Sequence, residues 1–181
     1  MRKFSLLIFL VLVMTACGKS VENTKTPPIE KNQSKTKFFN QDGQFRISFE
    51  SEPTAYSQYI PYENGKILMN YFIYEKGINL IFCISYADYP KSFTKGKVTA
   101  DLLSDLLVIF IDSKKAGLET QKQINVNTWP GIYFKASNSD VFIYGEYILK
   151  QNRLYQLTVT KEGSYHNEGE VNAFFQSLEL L

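Results

Sequence analysis

Cysteine occurs only twice and histidine only once in this chain of 181 residues. Two cysteines form at most one disulfide, and with one histidine they cannot complete a four-ligand zinc site. The chain also lacks a Gly-x-Ser-x-Gly nucleophile motif and a phosphate-cradling glycine loop. These absences argue against a disulfide scaffold, a zinc protein and the common hydrolase and nucleotide-binding motifs. We therefore expect no metal, no cofactor and no catalytic residue.

A large excess of charge of one sign is also missing. The chain has 20 basic and 18 acidic residues. The two extra positive charges are Arg2 and Lys3, which lie in a segment that we expect to be removed. The mature chain is then balanced, so it does not attract nucleic acid by charge, and we expect no nucleic-acid partner.

The N-terminal apolar run is too short for a spanning helix. The uncharged stretch Phe4–Ala16 has 13 residues, whereas a helix needs roughly 20 to cross the hydrocarbon core. Arg2 and Lys3 precede it, and the small residues Thr15 and Ala16 end it. This three-part pattern predicts a secretory signal peptide over residues 1–16.

The end of that segment, Met14-Thr15-Ala16-Cys17, resembles the bacterial lipobox. The resemblance implies cleavage after Ala16 and acylation of the Cys17 thiol, and several acyl chains hold a protein firmly on a membrane. Gly18 follows Cys17, which in bacteria with two membranes implies delivery to the outer membrane. We therefore expect a lipid-anchored envelope protein facing the periplasm. The alternative is a secreted protein with a chance cysteine at this place.

Residues 17–37 consist of Cys17 and a polar stretch with five lysines, two glutamates and the Pro27–Pro28 pair. Such a composition buries too little apolar surface to fold, which predicts a disordered tether. Fully extended, residues 18–37 would span about 66 Å. Its function would be to hold the following domain away from the membrane.

Residues 38–181 are predicted to form a single α+β domain. Runs rich in aromatic and β-branched residues, several of them alternating, favour β-strands, and their short connections favour antiparallel pairing. The predicted strands are Gln44–Phe49, Lys66–Glu75, Ile78–Tyr86, Leu118–Asn127, Gly131–Ser137, Val141–Lys150 and Arg153–Lys161, and Leu178–Leu181 is expected as a short edge strand. The fold class is an antiparallel sheet of about six to seven strands flanked by helices.

Two helices are predicted. The first covers Thr99–Gly117, with Thr99 as N-cap and Gly117 as the residue that ends it. It is apolar on nearly all sides, so we expect it to be well covered. The second runs over Glu168–Ser177, with an apolar stripe and a cap formed by Asn167 and Glu170.

Five strings in this domain carry a family resemblance: Gly43–Phe49, Trp129-Pro130-Gly131, Tyr147–Lys150, Arg153-Leu154-Tyr155 and Phe174–Leu178. Together they resemble the PsbP-like lipoproteins and their relatives, which are small bacterial envelope and photosystem accessory proteins. The resemblance implies a PsbP-like sandwich, an antiparallel sheet with flanking helices. It also implies an accessory or interaction role with no conserved catalytic apparatus.

Tyrosines in two predicted loops are the candidate binding residues: Tyr56, Tyr59 and Tyr62 in one, and Tyr86 and Tyr89 around the next. Tyrosine supplies rigid, amphipathic contact area for a partner. The alternative is that these loops fold back over the sheet. His166 is interpreted as a surface-loop histidine and Cys83 as a buried, inert thiol.

These observations favour a membrane-anchored lipoprotein that acts as a non-enzymatic accessory or protein-interaction module. Its expected partners are the membrane, through the N-terminal lipid, and another envelope protein. The alternative is a carrier that holds a small apolar ligand between sheet and helices, which the many aromatic residues in the strands would allow.

Overall fold

The computed structural model describes residues 36–62 and 65–181. The predicted signal peptide, Cys17 and nearly all of the predicted tether lie outside the described residues and stay predictions. The first strand begins at Thr36, slightly before the expected start of the domain at residue 38.

The described residues form ten strands and three helices. The strands are β1 (Thr36–Asn40), β2 (Phe45–Phe49), β3 (Thr54–Tyr62), β4 (Gly65–Lys76), β5 (Leu80–Asp88), β6 (Gly117–Val126), β7 (Trp129–Ser137), β8 (Val141–Lys150), β9 (Arg153–Glu162) and β10 (Glu179–Leu180). The helices are α1 (Lys91–Thr94), α2 (Thr99–Lys114) and α3 (Glu168–Gln176).

The strands form two antiparallel sheets. The large sheet has seven strands in the order β3-β4-β5-β9-β8-β7-β6, and the small sheet has the order β1-β2-β10. The chain builds β3 to β5 from one edge, crosses through α1 and α2 to the other edge, and returns until β9 pairs with β5. The predicted antiparallel α+β fold is confirmed.

One face of the large sheet is covered by the small sheet and by α3. Phe45, Ile47 and Phe49 alternate along β2 and are all buried there, as the period of two predicts for a strand with one face toward the core. Phe174 and Phe175 of α3 complete this layer.

The opposite face is covered by α2, which packs Leu102, Leu103, Leu107 and Ile111 against β7 and β8. The helix is less covered than its sequence predicts, because other side chains of α2 point to solvent. The expected caps are also wrong. Val98 takes the N-cap position without a side-chain cap, and the helix ends at Lys114, followed by Lys115 as the C-cap residue with φ 50°. The N–H of Ala116 then donates a hydrogen bond to the Ile111 carbonyl. Gly117 therefore does not end the helix but is the first residue of β6.

The cap of α3 is confirmed in part. The Asn167 side chain accepts hydrogen bonds from the backbone N–H groups of Gly169 (2.8 Å) and Glu170 (3.2 Å). The Glu170 carboxylate, by contrast, binds other side chains. Beyond α3, β10 pairs with β2, so the predicted terminal strand completes the small sheet.

Candidate functional site

The tyrosine segment predicted as a loop is strand β3. All nine residues of β3 pair in continuous register with β4, from Thr54 opposite Ile73 to Tyr62 opposite Gly65. We call β3 and the paired part of β4 (Gly65–Ile73) the edge ribbon. Because β3 is the last strand of the large sheet, every second residue directs its backbone N–H and C=O away from the sheet.

The edge ribbon has no charged side chain along β3. A lysine or glutamate on an edge strand ordinarily discourages pairing with another chain. The opposite edge of the same sheet has such protection: β6 carries Glu119 and Lys122 and is irregular between Leu118 and Thr120. The two edges of one sheet therefore differ in their readiness to accept a further strand.

Large side chains are exposed on both faces of the edge ribbon. Tyr59 is 64% exposed on one face, beside Leu68, its partner in the register, at 41%. Tyr56 is 49% exposed on the other face, with its ring 6.0 Å from the ring of Tyr71. Amphipathic rings held on a rigid strand suit contact with a protein partner.

The end of β3 is closed by an aromatic cluster rather than open. The ring of Tyr62 meets those of Tyr89 at 5.7 Å and Phe93 at 5.4 Å. Tyr89 and Phe93 stack at 4.4 Å. Tyr89 is buried, and this burial raises the pKa of its hydroxyl to about 12. Tyr62 and Tyr89 thus anchor the end of the ribbon.

Tyr86 belongs to a different part of the molecule. It is buried in the core on the small-sheet side, stacked on Phe72 at 6.4 Å, and burial raises its pKa. Of the five predicted tyrosines, the structure therefore leaves Tyr56 and Tyr59 exposed and does not bring all five to one surface. Leu68 is a candidate contact residue that the sequence analysis missed.

The thiol of Cys83 is free and half-buried on the α2 side of β5. Burial raises its pKa to about 12, against smaller lowering effects of hydrogen bonds to Phe72 and Thr158. A thiol with this pKa stays protonated at neutral pH and is a poor nucleophile. The structure therefore agrees with the interpretation of an inert thiol.

His166 lies in the loop between β9 and α3, as predicted, but it is not a free surface side chain. Its side chain is only 16% exposed, and its Nε2 lies 2.6 Å from a carboxylate oxygen of Glu170. Lys76 donates to Glu170 at 2.6 Å and to Glu50 at 2.7 Å. Burial tends to raise the pKa of Glu170, but the hydrogen bonds from Lys76 and His166 outweigh it and leave the pKa lowered. This network ties α3 to β4 and to the end of β2.

An arginine clamp that the sequence analysis missed joins β9, β5 and the turn after β1. Arg153 donates from Nε and Nη2 to the two oxygens of Asp88, each at 2.7 Å, and from Nη1 to the Asp42 carbonyl. Its guanidinium also lies 4.9 Å from the ring centre of Tyr86. The hydrogen bonds to Asp88 raise the pKa of Arg153, so the group is a fixed cation in a structural role.

The cleft between β2, β4 and α3 is nearly filled. Phe49, Tyr74, Phe82 and Phe174 line it, and the free volume is about 20 Å³, room for about one water molecule. Within residues 36–62 and 65–181, no group of three or more His, Cys, Asp or Glu side chains can hold a metal ion. In that same part of the chain, no helix is long and apolar enough to cross a membrane.

Comparison with solved structures addresses the fold. The structure superposes on the solution structure of cyanobacterial PsbP (CyanoP) from Synechocystis sp. PCC 6803 with a TM-score of 0.60, covering 87% of this chain and 98% of that one at 6% identity. The fold is PsbP-like. The predicted fold resemblance is thereby confirmed at the level of architecture, although identity this low says nothing about shared activity.

Other comparisons add little. A crystal structure of a protein of unknown function from Pseudomonas aeruginosa covers 79% of this chain and 94% of that one, at 13% identity and a TM-score of 0.44. No protein-family model matches the chain, and no curated protein matches it. Any function therefore has to be argued from the chain's own residues on the PsbP-like fold.

Proposed function

We propose that this chain is a lipid-anchored cell-envelope protein that acts as a non-enzymatic interaction module and binds another polypeptide through the edge ribbon. The exposed, uncharged strand β3 is the observation that carries the proposal. Among the described residues β3 pairs with β4 alone, so its other side has no partner strand there, and Tyr56 and Tyr59 are exposed on opposite faces. Addition of a strand to such an edge is a common mode of peptide recognition.

The anchoring part of the proposal is supported by residues 1–17. The basic start, the short apolar run and the lipobox-like Met14-Thr15-Ala16-Cys17 are the features expected of a lipoprotein precursor. Gly18 after the modified cysteine supports placement at the outer membrane, facing the periplasm. The polar residues 18–37 would let the domain reach partners away from the bilayer.

The non-enzymatic part of the proposal is supported by the way reactive side chains are used. His166 is bound to Glu170 beside an aromatic core, and Cys83 has a raised pKa. Arg153 is occupied by Asp88. Each of these groups has a structural contact that accounts for it. Arg153 also lines an open surface cleft of about 350 Å³ with Lys150 and Asn152, but both of its forked donors are bound to Asp88.

The geometry does not favour the alternative of an apolar-ligand carrier. Such a ligand would lie between the sheet and a covering helix. The cleft beside α3 has room for about one water molecule, and the cleft between α2 and strands β6 and β7 has a volume of about 120 Å³. Binding sites for small molecules usually enclose about 300–1,000 Å³. The aromatic residues that suggested a carrier fill the two cores instead.

The proposed function is tested by capture of partners from the protein's own membranes. We expect the double variant Tyr56→Ala and Tyr59→Ala to lose most of the partner protein recovered with the wild type after chemical cross-linking. The matched control is Val108→Ala with Ile109→Ala, which removes exposed apolar surface from α2. Equal recovery with wild type and both double variants would contradict the role of the edge ribbon.

The anchor has a separate test. Mass spectrometry of the mature chain should find an acylated Cys17 as its first residue. Cys17→Ala should release the chain from the membrane fraction. An unmodified N-terminus beginning elsewhere would contradict the lipoprotein proposal and leave the edge ribbon untouched.

A further inference from the structure

Strand β3 has the features of a strand that pairs with its own copy. It pairs with β4 in a continuous register over nine residues, carries no charged side chain, and lies at an edge of the large sheet. Pro61, which lacks an N–H, is the one residue of β3 that cannot donate a backbone hydrogen bond, and it is next to the end of the strand. Thr54–Ile60 contain neither a charge nor a proline that would oppose the approach of another β-strand.

We infer that β3 pairs antiparallel with β3 of a second copy of this chain, so that two seven-stranded sheets join into one. The inference rests on the proposed function, since it uses the same edge ribbon, and it names the partner. A two-fold axis through the middle of the strand, at Gln58, gives full overlap of the two strands and places Pro61 opposite Ala55 of the second copy near each end. This isologous contact is the arrangement found in most dimers.

Charge favours this occupant. In an antiparallel pair of identical strands, a charged residue near the axis meets its own copy, and like charges directly opposite each other are destabilising. Thr54–Tyr62 contains no charged residue, so that repulsion is absent in any register. The other edge strand, β6, with Glu119 and Lys122 and an irregular register, lacks this property.

The side-chain pattern is also self-complementary. Directly opposite residues share a face of the joined sheet, so the axis at Gln58 places Tyr56 opposite Ile60 of the second copy, twice. On the other face it places Tyr59 opposite Ser57 of the second copy, next to the exposed Leu68. Pairs of an aromatic and a β-branched residue are among the stabilising cross-strand contacts.

Anchoring would assist the contact. Two chains held in one membrane meet at a higher effective concentration than two free chains. The polar residues 18–37 could span up to about 66 Å when extended, which leaves both domains free to align.

Cysteine cross-linking in the protein's own membranes tests the inference. Gln58→Cys puts two thiols opposite each other, at the 4.5–5.5 Å separation of Cα atoms in antiparallel pairs, which a disulfide can bridge. Ser57→Cys puts the two thiols about 7–8 Å apart, across a diagonal. Mild oxidation should therefore give a disulfide-linked dimer with Gln58→Cys and little with Ser57→Cys, with Gln123→Cys on β6 or with the wild type.

A second variant tests the free energy of the contact without cross-linking. Gln58→Lys introduces two lysines opposite each other, and we expect the dissociation constant of the dimer to rise up to about fivefold. Gln123→Lys on the other edge strand should leave it unchanged. Circular dichroism should show both variants folded, because both positions are exposed.

Either of two outcomes would overturn the inference: a wild-type chain that stays monomeric in its membrane, or a dimer that Gln58→Lys does not weaken. Cross-linking of Gln58→Cys to a different polypeptide, without a dimer, would also overturn it while leaving the proposed function in place. If neither a second copy nor another protein is captured through the edge ribbon, both proposals fail.

Discussion

Replacing Glu146 by glutamine should change how stability depends on pH. Glu146 lies on β8, opposite Tyr133 on one side and Leu157 on the other, and faces the core beneath the small sheet. Burial is the cause that raises the pKa of its carboxyl from 4.5 to about 7. The folded state therefore favours the protonated acid, whereas the unfolded chain ionises near the ordinary value.

The sign follows from proton binding. Between the ordinary pKa and a folded pKa of about 7, the folded protein binds more protons than the unfolded chain, so stability decreases as pH rises. A difference between 4.5 and about 7 corresponds to about 3 kcal/mol at 1.36 kcal/mol per pKa unit. Since Glu146 is half-buried and retains some contact with water, we expect about 1–3 kcal/mol.

The assay is urea unfolding of wild type and Glu146→Gln, followed by circular dichroism between about pH 5 and pH 8. Glutamine is neutral throughout, so the variant should gain about 1–3 kcal/mol relative to wild type over this range. The control is Glu168→Gln: the hydrogen bond from Lys135 lowers the pKa of Glu168, so this carboxyl is ionised in both folded and unfolded chains throughout the range, and its variant should differ from wild type by an amount that does not change with pH. A stability difference between wild type and Glu146→Gln that is the same at every pH would refute the reasoning.

Three further predictions concern the core and the clamp. Arg153→Met should lower the free energy of unfolding by about 1–3 kcal/mol, measured in urea, since it removes a two-point contact with Asp88; no loss would mean that the clamp is solvated. Phe174→Ala should lower it by about 3–5 kcal/mol because the ring is buried, whereas Val108→Ala on exposed α2 surface should change it by less than about 0.5 kcal/mol. Cys83 should resist alkylation by iodoacetamide at about pH 8 until urea unfolds the chain, because burial raises the pKa of its thiol to about 12. Mass spectrometry that finds Cys83 alkylated in the native protein would contradict this.

Elements with a strong apolar period could be predicted from the sequence. The alternation in β2 and the stripe of α3 mark faces that are buried and so appear directly in the residue pattern. Val141–Lys150 was predicted with the bounds that β8 has in the structure. The end of α2 was wrong because a non-glycine residue, Lys115, adopts the left-handed conformation there, which sequence preference alone does not indicate.

The side-chain contacts between distant parts of the chain could not be predicted from the sequence. Arg153 and Asp88 are far apart in the chain, and only the pairing of β5 with β9 brings them together. The same is true of Glu170 and Lys76. Long-range pairs of this kind leave no local pattern, so a single sequence identifies the residues without their partners.

Strand β3 shows why a binding edge is difficult to recognise in a sequence. Apolar alternation indicates a strand because one face is buried, but β3 is exposed along most of its length and therefore lacks that alternation. The informative feature is an absence of charge: Thr54–Tyr62, between the first two predicted strands, has three tyrosines and no charged residue, although it lies at the surface. An ordinary exposed loop or a protected edge strand, such as β6 with Glu119 and Lys122, would carry charges there. A run of uncharged, tyrosine-containing residues beside a predicted strand is thus evidence for an open sheet edge, and in this chain it coincides with the surface that we propose for binding.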